Sequence, residues 1–291
     1  MATSAISATC AFCDANLVEH TVAIEPADRI TPFDVPRDRA VRLLKGFLQE
    51  HWLAPEGVRQ AADPSELRAV FVPFYAYDAV ARTEYRCSVG VDWKRTETYT
   101  TTENGRQVTR TRVVNETEWF SFQGTHGRTW FGHLVSASRG LPESEANQLE
   151  PYDLGRSHPY APAHHAGMEA EHATIPHDEA NKTAHHELSE LEKWTIERQF
   201  LPGDKVRMLE TTSNFDIQAV SLHLLPVWVA AVEGPEFGQM RMLVNGQTGE
   251  VVADIPRSTV KIVALIVAGS ALVFLLIATI LCLNGGEGVL M

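Results

Sequence analysis

The residues of this chain best suited to metal chemistry fall in two places, an N-terminal cysteine pair and a run of histidines past the midpoint. Cys10 and Cys13 form a single C-x-x-C. A closed tetrahedral zinc site takes four thiolate or imidazole ligands, ordinarily from two such pairs. Zinc at Cys10 and Cys13 therefore needs ligands from upstream of Met1, or from His20 and a second chain; otherwise the pair is a relic loop. A redox role is disfavoured, because no helix follows the pair to depress a thiol pKa. The second place holds His158, His164, His165, His172, His177, His185 and His186. If residues 163–172 are helical, His165, Glu169 and His172 share one face at four- and three-residue steps, which could bind a divalent metal. His186 with Glu187 and Glu190 is a looser set. The competing reading is a solvated His- and Glu-rich surface, with pH sensing near neutrality as a variant of it.

Other chemistry has less support. Asp78, Asp92, Glu118, Asp204 and Asp216 could pair for acid–base work, but strand-end charges and hairpin caps explain them as well. Serine and histidine occur without a nucleophile elbow, and there is no P-loop, so no catalytic residue is expected. A formal charge of −12 disfavours nucleic acid as a partner. Lys94, Arg95, Arg106, Arg110 and Arg112 are the local exception; a polar ribbon commonly carries such charges as a solvated face. Trp93, Trp119, Trp130 and Trp228 read as core or sheet-face residues, although an exposed aromatic row would suit a partner groove.

These residues must be positioned by the elements around them. Residues 262–283 are apolar apart from Gly269, Ser270 and Thr279, long enough to span the roughly 30 Å of a bilayer's hydrocarbon core. Arg257 and Lys261 precede this run and only Glu287 follows it, so the positive-inside rule puts the N-terminal body in the cytoplasm, at the cell membrane. No secretory signal opens the chain, and four cysteines so placed form no disulfide framework. Upstream, residues 36–53 repeat apolar side chains on one helical face, and residues 69–80 read as a strand bent at Pro73. Threonine-rich runs flank Asn104-Gly105 as a hairpin, and residues 116–138 continue as strand with a turn near 124–128. A Pro- and His-rich connector with short helical pieces fills 140–180. A second helix over 180–200 is stopped by Pro202-Gly203. Strands follow over 206–214, 219–232 and 239–244, with Asn245-Gly246 turning into a short strand that ends near Asp254. Val72-Pro73-Phe74-Tyr75-Ala76 echoes Leu225-Pro226-Val227-Trp228-Val229. The fold class expected is α+β: helix-plus-antiparallel-sheet units, duplicated, then one transmembrane helix.

Several patches carry a resemblance: Cys10-Ala11-Phe12-Cys13, Ile30-Thr31-Pro32-Phe33, residues 72–79, residues 149–154, residues 225–228 and residues 244–252. Together they resemble an uncharacterised bacterial family of membrane-anchored zinc-ribbon proteins, often labelled as replication-helicase-like, and no helicase motif supports that label here. The last patch also resembles the closing hairpin of a PepSY-type module. The resemblance implies a cytoplasmic N-terminal ribbon, an α+β body and a C-terminal anchor; the organisation expected is a degenerate half zinc ribbon and connector over 1–30, α+β units over 31–139 and 181–256 around the 140–180 connector, an anchor over 261–283 and a short tail over 284–291. It implies no established activity. Two functions follow as expectations: a non-enzymatic cytoplasmic adaptor or assembly scaffold that binds another protein at the inner face of the membrane, and a membrane-tethered metal-dependent enzyme or metal sensor using the connector histidines. Zinc is the cofactor considered.

Overall fold

A computed structural model describes residues 26–55, 57–58, 67–103, 106–161, 163, 168–234 and 238–284. In chain order the elements are β1 (Arg29–Ile30), α1 (Arg37–Glu50), β2 (Arg68–Glu103), β3 (Arg106–Ser136), α2 (Glu143–Leu149), β4 (His158–Pro159), β5 (Glu169–Ala170), α3 (His177–Thr195), β6 (Lys205–Gly234), β7 (Gly238–Asn245), β8 (Val251–Ala253) and α4 (Thr259–Asn284). Helices thus accompany one mixed sheet, with a single apolar helix at the C-terminal side. Its central order is β3-β2-β6-β1-β4, while β5 joins β2, β7 joins β6 and β8 joins β7.

Strands of 36, 31 and 30 residues dominate the sheet, far beyond the usual handful. The turn expected near 124–128 is absent, because β3 runs unbroken from Arg106 to Ser136. Gly124 serves a different purpose: a Cβ there would lie 2.5 Å from the Tyr85 hydroxyl across the ladder, so the glycine makes room for that ring. Likewise the separate strands expected over 206–214 and 219–232 are one strand, β6, absorbing irregularity as bulges against β2. Residues 31–139 and 181–256 therefore contribute to a single sheet, with β2 paired to β6 from Arg68↔Val229 to Gly90↔Lys205.

Alternation along β2 assigns the layers. Val70, Val72, Phe74 and Ala76 face one side, where Leu141, Ala146 and Leu149 of α2 and its approach cover them. On the other side, Ala69 and Trp228 meet α1, while Tyr75, Tyr77 and Leu222 meet α3. Each long helix buries one stripe, Ala40, Leu44 and Leu48 in α1 and Ala180, Ala184 and Leu188 in α3. Each leucine so buried contributes about 2 kcal/mol.

The approaches to these two helices share a set of contacts. The Ile30 strand runs parallel to β6 at Leu224, and Ala170 runs parallel to β2 at Phe71. Thr31 donates its amide to Leu224 and Glu171 donates to Phe71, at 3.0 and 2.9 Å. Asp34 and Val35 both donate to the Gly246 carbonyl; Thr174 and Ile175 both donate to Ala137. Pro36 and Pro176 then open the helices, their rings fixing φ where no backbone donor is needed. Finally, Trp228 Nε1 donates to the Val35 carbonyl at 2.9 Å and the Tyr75 hydroxyl donates to that of Ile175 at 3.3 Å. Val72 stands opposite Leu225 at the centre of this arrangement.

Candidate functional site

Beyond Gly90, β2 has left β6 and pairs only with β3 among the described residues, from Val91↔Glu118 to Glu103↔Arg106. This two-stranded ribbon extends roughly 40 Å at about 3.4 Å per residue. Its base is set where β6 begins. Gly203 adopts φ +90°, a conformation that favours glycine, and brings Asp204 to donate its amide to the Gly90 carbonyl at 2.8 Å. The Asp204 carboxylate accepts the Asp92 amide, and Lys205 Nζ donates to Asp92 Oδ1 at 2.8 Å. Hydrogen bonds from Lys205 and Thr117 hold the Asp92 carboxyl below the usual range.

Directly opposed residues of the ribbon share a face. One face carries Trp93, Arg95, Glu97, Tyr99, Arg112 and Glu116, and its charges pair internally: Arg112 with Glu97 at 2.9 Å, and Arg95 with Glu116 at 2.8 Å. The guanidinium of Arg112 also lies over the Tyr99 ring, 5.5 Å from its centroid. That pairing consumes cationic charge which a phosphate backbone would need. On the opposite face stand Thr96, Thr98, Thr100 and Thr102, with Thr109 and Thr111 across from them. It is a hydroxyl-lined surface with little charge. The β3 edge runs past β2 without another strand among the described residues.

Deeper in the sheet, α3 grips the strands that emerge as the ribbon. The fully buried Glu192 carboxylate accepts from Trp130 Nε1 at 2.8 Å and Thr83 Oγ1 at 3.2 Å, and meets His126 Nδ1 at 2.7 Å. A π-helical turn, Ile196–Phe200, continues α3 and sets the Phe200 ring 4.5 Å from His126. Burying a charge is costly unless it is paired and hydrogen-bonded, so these three partners make the site tolerable and fix the ribbon's exit. Sequence reasoning missed Glu192 and His126. A glutamate at helical spacing looks like a solvated face, and only its step of four from Leu188 marks it as inward.

The residues singled out for metal do not assemble. Cys10, Cys13 and His165 lie outside the described residues. The helix required over 163–172 fails at Glu169, which belongs to β5 beside β2, with Arg68 at 4.0 Å from its carboxylate. Glu169 and His172 therefore lack the helical step that placed them on one face. Among the described residues no group of three or more His, Cys, Asp or Glu side chains is placed to hold a metal ion. Glu187, considered with His186, instead meets His133 Nε2 at 3.1 Å and accepts from Asn147 at 2.7 Å. Near it, burial and the Glu187 charge raise Glu143 to about 7; burial raises Glu150 to about 7, the His133 charge opposing and the Glu187 charge adding.

Of the acid–base candidates, Asp78, Asp92, Asp204 and Asp216 are occupied by backbone and neighbours, and Glu118 stands opposite Val91 at the ribbon's base. Asp78 accepts the Gly132 amide at 2.7 Å where β3 bulges, and Asp216 accepts from the Gln218 side chain at 2.7 Å. Asp78 does border a cavity of about 420 Å³ on the α2 side, with His223, Ser221, Tyr152 and Asp153. Ser221 Oγ lies 2.9 Å from His223 Nε2. Burial, aided by the Arg29 charge, lowers His223 to about 4, which leaves it neutral at pH 7 but a weak proton acceptor. Its Nδ1 faces Ser157 Oγ at 3.5 Å. Among the described residues this is a polar pocket without a triad.

The anchor-like helix lies at the other end of the sheet from the ribbon. The body end of α1 packs Leu48 and Ala54 near Leu67, just before β2, and Met240, near the start of β7. The Ser258 amide donates to the Leu53 carbonyl at 2.8 Å, bringing α4 to that end. Residues 259–279 of α4 have mean hydropathy 2.7 and are long and apolar enough to cross a membrane. Since β2 runs from this end to the ribbon tip, on the order of 100 Å of strand contour separates them.

Comparisons with known proteins extend this picture little. No family model matches the chain, and no solved structure matches it. It is 24% identical over 239 residues to the uncharacterized protein YdjG of Bacillus subtilis (strain 168), covering 81% of this chain. The matched stretch spans 65% of that protein's length.

Proposed function

We propose that the chain is a non-enzymatic, membrane-anchored adaptor or assembly scaffold, whose cytoplasmic body presents the β2–β3 ribbon to a protein partner at the inner face of the membrane. The observation that carries this reading is the ribbon itself, a paired extension with open edges among the described residues and a threonine face, at the opposite end of the sheet from α4. An exposed edge recruits an extended segment through main-chain hydrogen bonds, with side-chain pockets adding selectivity. Arg257 and Lys261 before the apolar helix favour a cytoplasmic body. The matched approaches to α1 and α3 support an internal duplication, with Val72 and Leu225 at its centre. An N-terminal zinc-ribbon-like segment with Cys10 and Cys13 would add a second contact module to such an adaptor.

The test removes the ribbon and leaves its base. Residues 95–114 are deleted, joining Lys94 to Asn115 through an Asn-Gly turn, so that all pairing with β6 is kept. Crosslinked affinity purification from membranes should recover partner proteins with the intact chain and lose them with the shortened one. Equal recovery from both would defeat the reading.

A further inference from the structure

We infer that the turn after α1 is a foot on the lipid surface, seating the Trp52 indole in the interface between headgroups and acyl chains. This rests on reading α4 as a membrane anchor. Trp52 is 55% exposed, although the turn bearing it is firmly held. Its amide donates to the Glu50 carbonyl, the Ala54 amide donates to that of His51, and Ala54 itself is core. The side chain is thus directed into solvent from a fixed backbone, a costly place for a large aromatic surface unless something covers it.

The start of α4 identifies the cover. Lys261 Nζ donates to the Trp52 carbonyl at 2.9 Å and to the Ala54 carbonyl at 2.7 Å. Ser258, whose carbonyl accepts the Ile262 amide at 3.1 Å, opens the helix and donates its own amide to Leu53. Lys261 is the last charge before the uninterrupted apolar run, so it marks the water-facing boundary of the span. A residue whose carbonyl touches that ammonium lies at the same depth. Tryptophan at that depth partitions favourably, with its ring against acyl chains and its N–H toward water.

Charge agrees with a lipid cover. α1 has four basic side chains against two acidic ones, one of them the exposed Glu50 near the foot, whereas α3 has two basic against five acidic. Of the two long helices, the one that ends at α4 is the one an anionic leaflet attracts.

The full chain reconstituted in liposomes of brominated phosphatidylcholine, with a fraction of anionic lipid, tests the contact by tryptophan fluorescence. Bromine quenching of part of the emission is expected for the unchanged chain, and Trp52→Phe should remove that quenched part. Trp194→Phe, at the exposed end of α3, should leave it in place. Quenching that survives Trp52→Phe, or none in the unchanged chain while it resists carbonate extraction, would overturn the foot alone. Release of the chain by carbonate would overturn the anchor and the foot together.

Discussion

The last turns of α1 and α3 are built for different surroundings, although the two helices cover the same face of the sheet after the same set of backbone contacts. α3 exposes Trp194 in its last turn but sends Glu192 inward, under the ribbon's base, where Trp130, His126 and Thr83 hold it. α1 ends outward, at a turn whose Trp52 is exposed and whose carbonyls receive Lys261. One scaffold thus supplies a rigid grip at one end of the sheet and an attachment for α4 at the other. A helix end here is specialised by the residue placed about a turn beyond its last buried leucine, Leu48 in α1 and Leu188 in α3.

That contrast breaks most visibly at Glu192. Glu192→Ala leaves the Trp130 and His126 ring nitrogens facing a cavity and Thr83 with Ser213 alone, and should cost about 3 kcal/mol, the size expected when buried polar groups lose a common partner. Trp52→Ala, by contrast, should fall within about 0.5 kcal/mol in detergent, as exposed substitutions do. Denaturant unfolding of the full chain in micelles measures both, and similar losses for the two would mean that the ends are not differently built. Next in size is Trp228→Phe, which orphans the buried Val35 carbonyl at the entrance to α1 and should cost roughly 1–2 kcal/mol.

The charge difference between the helices makes a separate prediction. Glu143 and Glu150 are carboxyls whose pKa values lie near 7 in the fold, above 4.5, mainly through burial, with the Glu187 charge of α3 adding. The folded state holds their protons more tightly than the unfolded chain, so stability is lost as pH rises from about 4.5 through about 7. His223 acts oppositely: its value near 4, below 6.5, withdraws stability as pH falls through that window. Between pH 6.5 and 8 the His223 contribution fades and the two carboxyls outweigh it, so melting temperature should decline as pH rises. Glu143→Gln keeps an acceptor for the Ser136 amide and should flatten that decline. An unchanged slope would mean that the buried Glu143 carboxyl does not hold its proton more tightly in the fold.

The helices were legible in the sequence because burial of one stripe imposes a 3.6-residue period, and α1 and α3 sit within a few residues of where that period puts them. The length of the strands was not. Gly124 reads as a turn residue, but its missing side chain accommodates Tyr85 in a neighbouring strand, a cross-strand relation no local pattern carries. For the same reason the connector's His165, Glu169 and His172 invited a helical grouping: the pairing of Glu169 with Val70 joins residues about a hundred positions apart. The threonine runs did mark the ribbon, since alternation is local, while Asn104-Gly105 lie outside the described residues. What the ribbon's base depends on, Glu192 with His126 and Trp130, is a long-range polar contact and became visible only in three dimensions.

The smallest expected effect sharpens the comparison at the other helix entrance. Tyr75→Phe removes a 3.3 Å hydrogen bond to Ile175 while keeping the ring and its edge contact with His177, 5.6 Å between centroids. A long bond that is only part-buried should cost roughly 0.5 kcal/mol, less than Trp228→Phe at the α1 entrance. The two sites lie at different helices with no shared partner, so their costs should add in the double variant. A sum well below the separate losses would mean that the two entrances respond as one unit. The sheet between them, where Val72 faces Leu225, would then be what couples the attachment end to the ribbon end.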